Sequence, residues 1–278
     1  MVNKIDPGFA AAAVRLQDAL NAAGAATVHA VVIAGSGMGS LWSSRRPLLE
    51  LEYSELPDFP RHAVPGQEPR LEVHLFNNQT VILFRGRLHV YQGFDPWHCA
   101  APVRLASALG ARFAVGLCAA GALNPAYKAG EFLVIRDHLN QMGDNIGSHF
   151  TDGPHYLALN RVYDGVGSEL AVAALREAGL QAHEGILVAV RGPLYETPAE
   201  VRVLQQLGAD AVSMSIIPEA TAATALGMKF AALALLTNRA AGLDPAPPSH
   251  DEVESMGRQL AEKLSQPLEK MLTRWLAG

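Results

Sequence analysis

Cysteine is nearly absent from this chain: Cys99 and Cys118 are the only two in 278 residues and cannot build a disulfide framework. Cys118 lies inside an apolar, strand-like run, which fits a reducing compartment and a cytoplasmic location. A basic excess is missing too. The net charge is −5, so no field draws in nucleic acid or an anionic membrane, and an anionic substrate needs a site built locally. Long apolar runs are lacking: the small-residue stretch Phe9–Val14 is flanked by Asp6, Arg15 and Asp18, so neither a signal-peptide core nor a membrane-spanning helix is expected. The histidines show no HExxH or paired ligand spacing and the two cysteines are far apart, so no metal and no organic cofactor are expected. Repeats, charge runs and low-complexity tracts are absent. With 49% apolar residues the chain can bury a substantial core, and one domain over residues 1–278 is expected.

What is present centres on Ala30–Leu41, AVVIAGSGMGSL. A short run of small and β-branched residues reads as a buried strand, and Gly35, Ser36, Gly37 and Gly39 then let the backbone turn sharply and expose its N–H groups. A P-loop would need Gly-Lys-Ser/Thr, but Ser40-Leu41 follows Gly39; a dinucleotide fingerprint would need glycine at position 40. What remains is a phosphate-sized turn with a hydroxyl at Ser36, or a glycine turn that only joins two elements.

Along the chain, Asp6-Pro7 reads as a helix start, with Phe9, Ala13, Leu16 and Leu20 at helical spacing up to Gly24. Leu71–Phe76 and Val81–Phe84 around Asn77-Asn78 read as a hairpin ending at Arg85-Gly86-Arg87. Trp97–Gly110 reads as helix, Phe113–Cys118 as strand, Ala119–Ala122 as a small-residue turn and Glu131–Ile135 as strand. The polar stretch Asp137–Asn160 is too long for a plain connection and reads as a functional or interface loop. Val162–Gly179 is an amphipathic helix and Gly185–Val190 a strand. Thr197, Pro198 and Glu200 form a capping box, which leaves Glu196 in the loop before the helix. Ala211–Met214 is a short strand, Ser215 a helix cap, Ile216–Leu226 a helix and Phe230–Leu236 the last strand. Ser249 with Glu252 caps a terminal amphipathic helix and places His250 in its first turn. The order implies an α/β fold, a mostly parallel mixed sheet covered by helices on both faces, with ligands outside the carboxyl ends of the strands. Ser36, Arg87, His89, Ala119, Glu196, Ser215 and Asn238 all fall at such ends.

The stretches Gly35-Ser36-Gly37-Met38-Gly39, Gly86-Arg87-Leu88-His89-Val90-Tyr91-Gln92-Gly93, Ala119-Ala120-Gly121, Arg136-Asp137-His138, Gly192-Pro193-Leu194-Tyr195-Glu196-Thr197, Met214-Ser215, Thr237-Asn238 and Ser249-His250 together resemble the trimeric purine nucleoside phosphorylase family over almost the whole chain. The resemblance implies cleavage of 6-oxopurine nucleosides by inorganic phosphate, a co-substrate, to free base and ribose 1-phosphate. It assigns phosphate to Ser36, Arg87, the Ala119 N–H and Ser215, with His89 beside phosphate and sugar. The base falls to Glu196, Asn238 and Tyr195, and the ribose to Tyr91, Met214 and His250. The chemistry suits these residues: an arginine fork matches phosphate, a carboxylate accepts from N1–H of a 6-oxopurine, and an amide can meet N7 as it gains a proton. Other readings stay open for single residues: Arg87 in an ion pair, Glu196 as a charge at a helix start, Asn238 capping a strand end, His250 merely exposed.

Two departures from the family pattern stand out. Gln67 replaces a histidine in the phosphate loop, and Cys118 replaces an asparagine, where a polar contact is expected to be lost. They read first as tolerated variation in a working enzyme; the alternatives are altered purine choice, such as xanthosine or methylthioadenosine and methylthioinosine, or a catalytically weak nucleoside-binding relative. Asn238 disfavours 6-aminopurines, and the glycine spacing disfavours a nicotinamide-dependent dehydrogenase. The resemblance further implies a homotrimer in which a neighbouring subunit's aromatic, here Tyr156, completes each site.

Overall fold

The run that enters the glycine turn is β1 (Ala30–Ile33), buried at all four residues because it is central: it pairs in parallel with β4 (Gln79–Phe84) on one side and β5 (Phe113–Ala122) on the other. The computed structural model describes residues 9–25, 27–61, 68–143, 145–146, 156–244 and 247–278. Asp6-Pro7 and Gln67 therefore lie outside the described residues. Beyond β4 come β3 (Arg70–Phe76) and an edge strand that the pattern did not announce, β2 (Leu49–Glu52), both antiparallel. The β3–β4 turn uses Asn77 and Asn78, both at positive φ, as a tight hairpin of two asparagines should.

On the other side of β1 the sheet closes on itself. β5 pairs with β8 (Ala211–Ser213), β8 with β7 (Ala182–Val190), β7 with β6 (Phe132–Gln141), β6 with β9 (Lys229–Arg239), and β9 returns to β5. Among the described residues nine strands thus form one mixed sheet, five of them in a ring. Three sequence readings change here. Ala119–Ala122 is the end of β5, not a turn; Asp137–Gln141 is strand, not loop; and β9 runs past Leu236 to Arg239. In each case ladder pairing around the ring holds polar or small residues extended, although their local pattern does not call for it.

Alternate β1 residues enter two cores. Val31 and Ile33 pack with α1 (Ala10–Ala22), α3 (Ala101–Ala108) and α6 (Ile217–Ala225); Ala30 and Val32 pack with α4 (Gly165–Glu177) and α7 (His250–Ala277). Helices cover both faces, as expected. The helix expected over Trp97–Gly110 is two: α2 (Pro96–Cys99) stops at Ala100, because Pro102 in the first turn of α3 has no N–H to continue the ladder. Before α4, Asp164 is the N-cap and accepts from Gly167 N–H at 2.8 Å, so that helix starts later than Val162. α5 (Pro198–Gln206) begins as its capping box requires, with Thr197 and Glu200 bonded reciprocally. No helix among the described residues is long and apolar enough to cross a membrane.

Candidate active site

A cavity of about 330 Å³ opens where β1, β4, β5, β7, β8 and β9 end, within the size range of small-molecule sites. Of the thirteen site residues read from the sequence, eleven line it: Ser36, Arg87, His89, Tyr91, Ala119, Tyr195, Glu196, Met214, Ser215, Asn238 and His250. Gln67 is outside the described residues, and Tyr156 is fully exposed, away from the cavity wall.

The glycine turn is held in place from two directions. Arg85 donates to the carbonyls of Gly39 and Leu41 at 3.0 Å each, and is itself paired with the buried carboxylate of Glu72. From the other side α7 lies against the turn: a Cβ on Gly37, which sits at φ +75°, would stand 2.9 Å from the Glu254 carbonyl. No other residue type fits both the dihedral and the approach.

Arg87 is 2% exposed. Its Nε donates to Glu219 Oε1 at 2.6 Å and its Nη1 to the Leu117 carbonyl at 2.5 Å, which fixes the plane of the guanidinium at the cavity wall. Glu219, 1% exposed, belongs to the family-like stretch Pro218-Glu219 but carries no assigned role in the sequence, where an acid in the first turn of a helix looks like a response to the helix dipole. Beside it the chain is strained. Ile216, the residue before α6, has φ +80° and ψ −47°, a costly conformation for a β-branched side chain. Ile216 rather than Ser215 is therefore the N-cap, and Ser215 is turned toward the cavity and toward Ser213, their hydroxyls 3.2 Å apart. Cys118 is buried, with the Ser213 side chain as a polar neighbour of its thiol. Burial pushes this thiol up to about 11, and it stays protonated near neutral pH.

Where it reaches the cavity, β9 carries an extra residue, Thr237, relative to β5, since Ala120 pairs with Leu236 but Gly121 with Asn238. This bulge re-aims the strand end. Thr237 Oγ1 donates to Asn238 Oδ1 at 3.0 Å, and Asn238 Nδ2 donates to the Arg239 carbonyl at 2.9 Å. One lone pair on Oδ1 and one N–H are left for a ligand. Thr237 is a cavity-lining residue that the sequence offered only as the neighbour of Asn238. Glu196 is half-buried, and that burial, with a small contribution from Glu200, raises its carboxyl above the usual range against a lowering backbone hydrogen bond. Burial likewise raises the phenols of Tyr91 and Tyr195, which remain neutral donors. The His89 and Tyr91 rings stack with centroids 4.7 Å apart. Gly192 at φ +72° lets Met214 and Tyr91 close over the backbone before Pro193.

The arrangement gathers an arginine, serine hydroxyls, histidines, a carboxylate and an amide around one cleft. Among the described residues no group of His, Cys, Asp and Glu is disposed to hold a metal ion. Such a cleft can hold a small oxyanion and a heterocycle at once, and draw electrons into the heterocycle.

Comparison with known proteins agrees. Residues 29–273 match the family described as the phosphorylase superfamily. The chain is similar to purine nucleoside phosphorylase 1 of Bacillus subtilis, 37% identical over 225 residues, which are 80% of this chain and 83% of that protein. It is similar to the purine nucleoside phosphorylase of Bos taurus, 36% identical over 247 residues, 84% and 85% of the two chains. Among solved structures, Schistosoma mansoni purine nucleoside phosphorylase in complex with inosine superposes with a TM-score of 0.85 at 29% identity, covering 96% of each chain. A Schistosoma enzyme in complex with guanosine gives 0.82 at 29% identity, again over 96% of each chain.

Proposed function

This chain belongs to the phosphorylase superfamily and, within it, to the purine nucleoside phosphorylases, and from that premise we propose that its cavity phosphorolyses 6-oxopurine nucleosides, inosine and guanosine first. The observation that carries the reading is the lining of one cavity by both the Ser36, Arg87, His89 and Ser215 set and the Glu196 and Asn238 pair. Arg87, Ser36, Ser215 and the Ala119 N–H hold phosphate below the sugar, with His89 beside it. Tyr91, Met214 and His250 hold the ribose. A phosphate oxygen forms a bond to C1′ as the C1′–N9 bond breaks, and the bonding pair leaves with the purine. Glu196 accepts from N1–H, and Asn238 accepts from N7–H with its Oδ1 while its free N–H reaches O6. The proton of hydrogen phosphate ends on the base, so charge and atoms balance. Adenosine has no N1 proton for Glu196 and presents an amine to Asn238, and is disfavoured.

The same reading makes the protein a cytoplasmic homotrimer. Tyr156, fully exposed, is available to a neighbouring subunit's site, and size-exclusion chromatography with light scattering tests the assembly. The activity is tested with inosine, guanosine, xanthosine and adenosine, each with and without phosphate. Free base from inosine or guanosine only when phosphate is present supports it. Preference for adenosine overturns Asn238 as selector, and binding without turnover moves the chain to the weak nucleoside-binding reading.

A further inference from the structure

Two buried hydroxyls at the cavity share a single hydrogen bond. β8 ends at Ser213, two residues before Ser215, and both serines line the cavity. Each is 6% exposed, and their Oγ atoms lie 3.2 Å apart. Among the described residues neither hydroxyl has another oxygen or nitrogen partner. The helix that follows takes nothing from them, since Ile216 precedes α6 without a side-chain cap hydrogen bond. The remaining neighbour of the Ser213 hydroxyl is the Cys118 thiol, which is protonated near neutral pH and accepts only weakly. Of the two, the Ser215 oxygen is the better acceptor. The backbone at Ser215 is set by the strained residue after it, so the direction of its hydroxyl proton is the freedom that is left.

We propose that Ser213 is a positioning residue for phosphate: its hydroxyl donates to Ser215 Oγ and so directs the Ser215 proton onto the anion. The inference rests on the phosphorylase reading, which puts phosphate on Ser215. Two hydroxyls carry two protons, and the bond between them uses one. If Ser215 gave its proton to Ser213, none would be left on Ser215 for phosphate, which is chiefly an acceptor. The shared bond must therefore run from Ser213 to Ser215 when phosphate is held. Donation into Ser215 also polarises its O–H and strengthens the bond that it gives in turn. Because both hydroxyls are buried, Ser213 supplies this donation from a fixed position, at no cost of ordering a water.

The test is a double-mutant cycle on phosphate. Wild type, Ser213→Ala, Ser215→Ala and the double variant are titrated calorimetrically with inorganic phosphate and assayed for the KM of phosphate and of inosine. Ser213→Ala is expected to weaken phosphate about fivefold, the value of one neutral hydrogen bond, and to leave the KM for inosine where it was. In the Ser215→Ala background the same substitution should change nothing, because the hydroxyl through which it acts is gone. Equal weakening in both backgrounds would make Ser213 a direct phosphate contact and overturn the assignment. A parallel rise in both KM values, the mark of a merely structural role, overturns it too, as does an unchanged phosphate affinity in Ser213→Ala. Calorimetry separates this from the parent reading. If wild type binds phosphate but cleaves no nucleoside, the phosphorylase reading fails and the cycle on phosphate Kd still decides the role of Ser213; if wild type binds no phosphate, both fall.

Discussion

Replacing Glu219 by glutamine should weaken the fold slightly and tighten phosphate. Arg87 and Glu219 are 2% and 1% exposed, with Nε and Oε1 at 2.6 Å. Glutamine keeps the acceptor at Oε1, so the guanidinium remains in plane, still tied to the Leu117 carbonyl. The hydrogen bond goes from doubly charged to singly charged, a loss of about 1–1.5 kcal/mol, or roughly 2–6 °C in Tm for a chain of this size. Phosphate gains from the same change. Two anions on either side of one guanidinium stand about 7 Å apart and repel by roughly 2 kcal/mol per unit charge at an effective dielectric constant of 20. Removing one should therefore lower the phosphate Kd by at least about tenfold. Thermal unfolding across a phosphate titration reads both effects at once, because a ligand that binds only the native state raises stability by RT ln(1 + [L]/Kd). Glu219→Gln should start lower than wild type and rise further. Glu219→Ala, which strands a buried guanidinium, should lose about 3–5 kcal/mol. A smaller phosphate-induced rise in Glu219→Gln than in wild type would refute the reasoning, since it would mean that the carboxylate charge supports phosphate binding.

Three further outcomes follow from the same structure. Burial raises Glu196, and the carboxylate must be ionised to accept N1–H, so kcat/KM for inosine should fall with decreasing pH on a limb above the usual carboxylate range; that limb should vanish in Glu196→Gln. Glu72 is buried, which alone would raise it, but hydrogen bonds from His74 and Arg85 and their charges bring it down to about 2. Its folded-state value lies below the unfolded one, so its contribution is complete above roughly pH 5 and disappears toward pH 2. It amounts to about 3 kcal/mol, and urea midpoints of wild type and Glu72→Gln should converge over that window; parallel curves would contradict it. A Cβ on Gly116 would stand 2.9 Å from both Ile216 Cδ1 and Phe230 Cζ, two fully buried side chains. Gly116→Ala should therefore cost about 1–3 kcal/mol and raise the KM for phosphate, because it presses on the strained residue after Ser215; a Tm within 1 °C, on the order of experimental scatter, would count against it.

Local rules reached the starts of α5 and α7 and the central strand β1, and with them much of the cavity lining. Thr197, Pro198 and Glu200 fix a helix start by chemistry confined to four residues, and Ser249 does the same for α7. β1 announces itself because a central strand is apolar on both faces. The ring of strands gave no such sign. β5 pairs with both β8 and β9, and pairing between distant segments leaves no periodicity in either, so the small residues 119–122 read as a turn and the polar residues 137–141 as a loop. The role of Glu219 was not legible because its partner is 132 residues away. Ser213 was legible in principle: it stands two residues before Ser215 at a strand end, where alternate side chains share a face.

In the proposed reaction one cavity brings phosphate and a 6-oxopurine nucleoside together and joins phosphate to C1′. The most direct measurement is the reaction of inosine with ¹⁸O-labelled phosphate, the products being followed by ³¹P NMR and mass spectrometry. Ribose 1-phosphate should carry the label in its C1′–O bond, in equal amount to hypoxanthine, with no reaction when phosphate is left out. Free ribose released at the same rate with or without phosphate would contradict it.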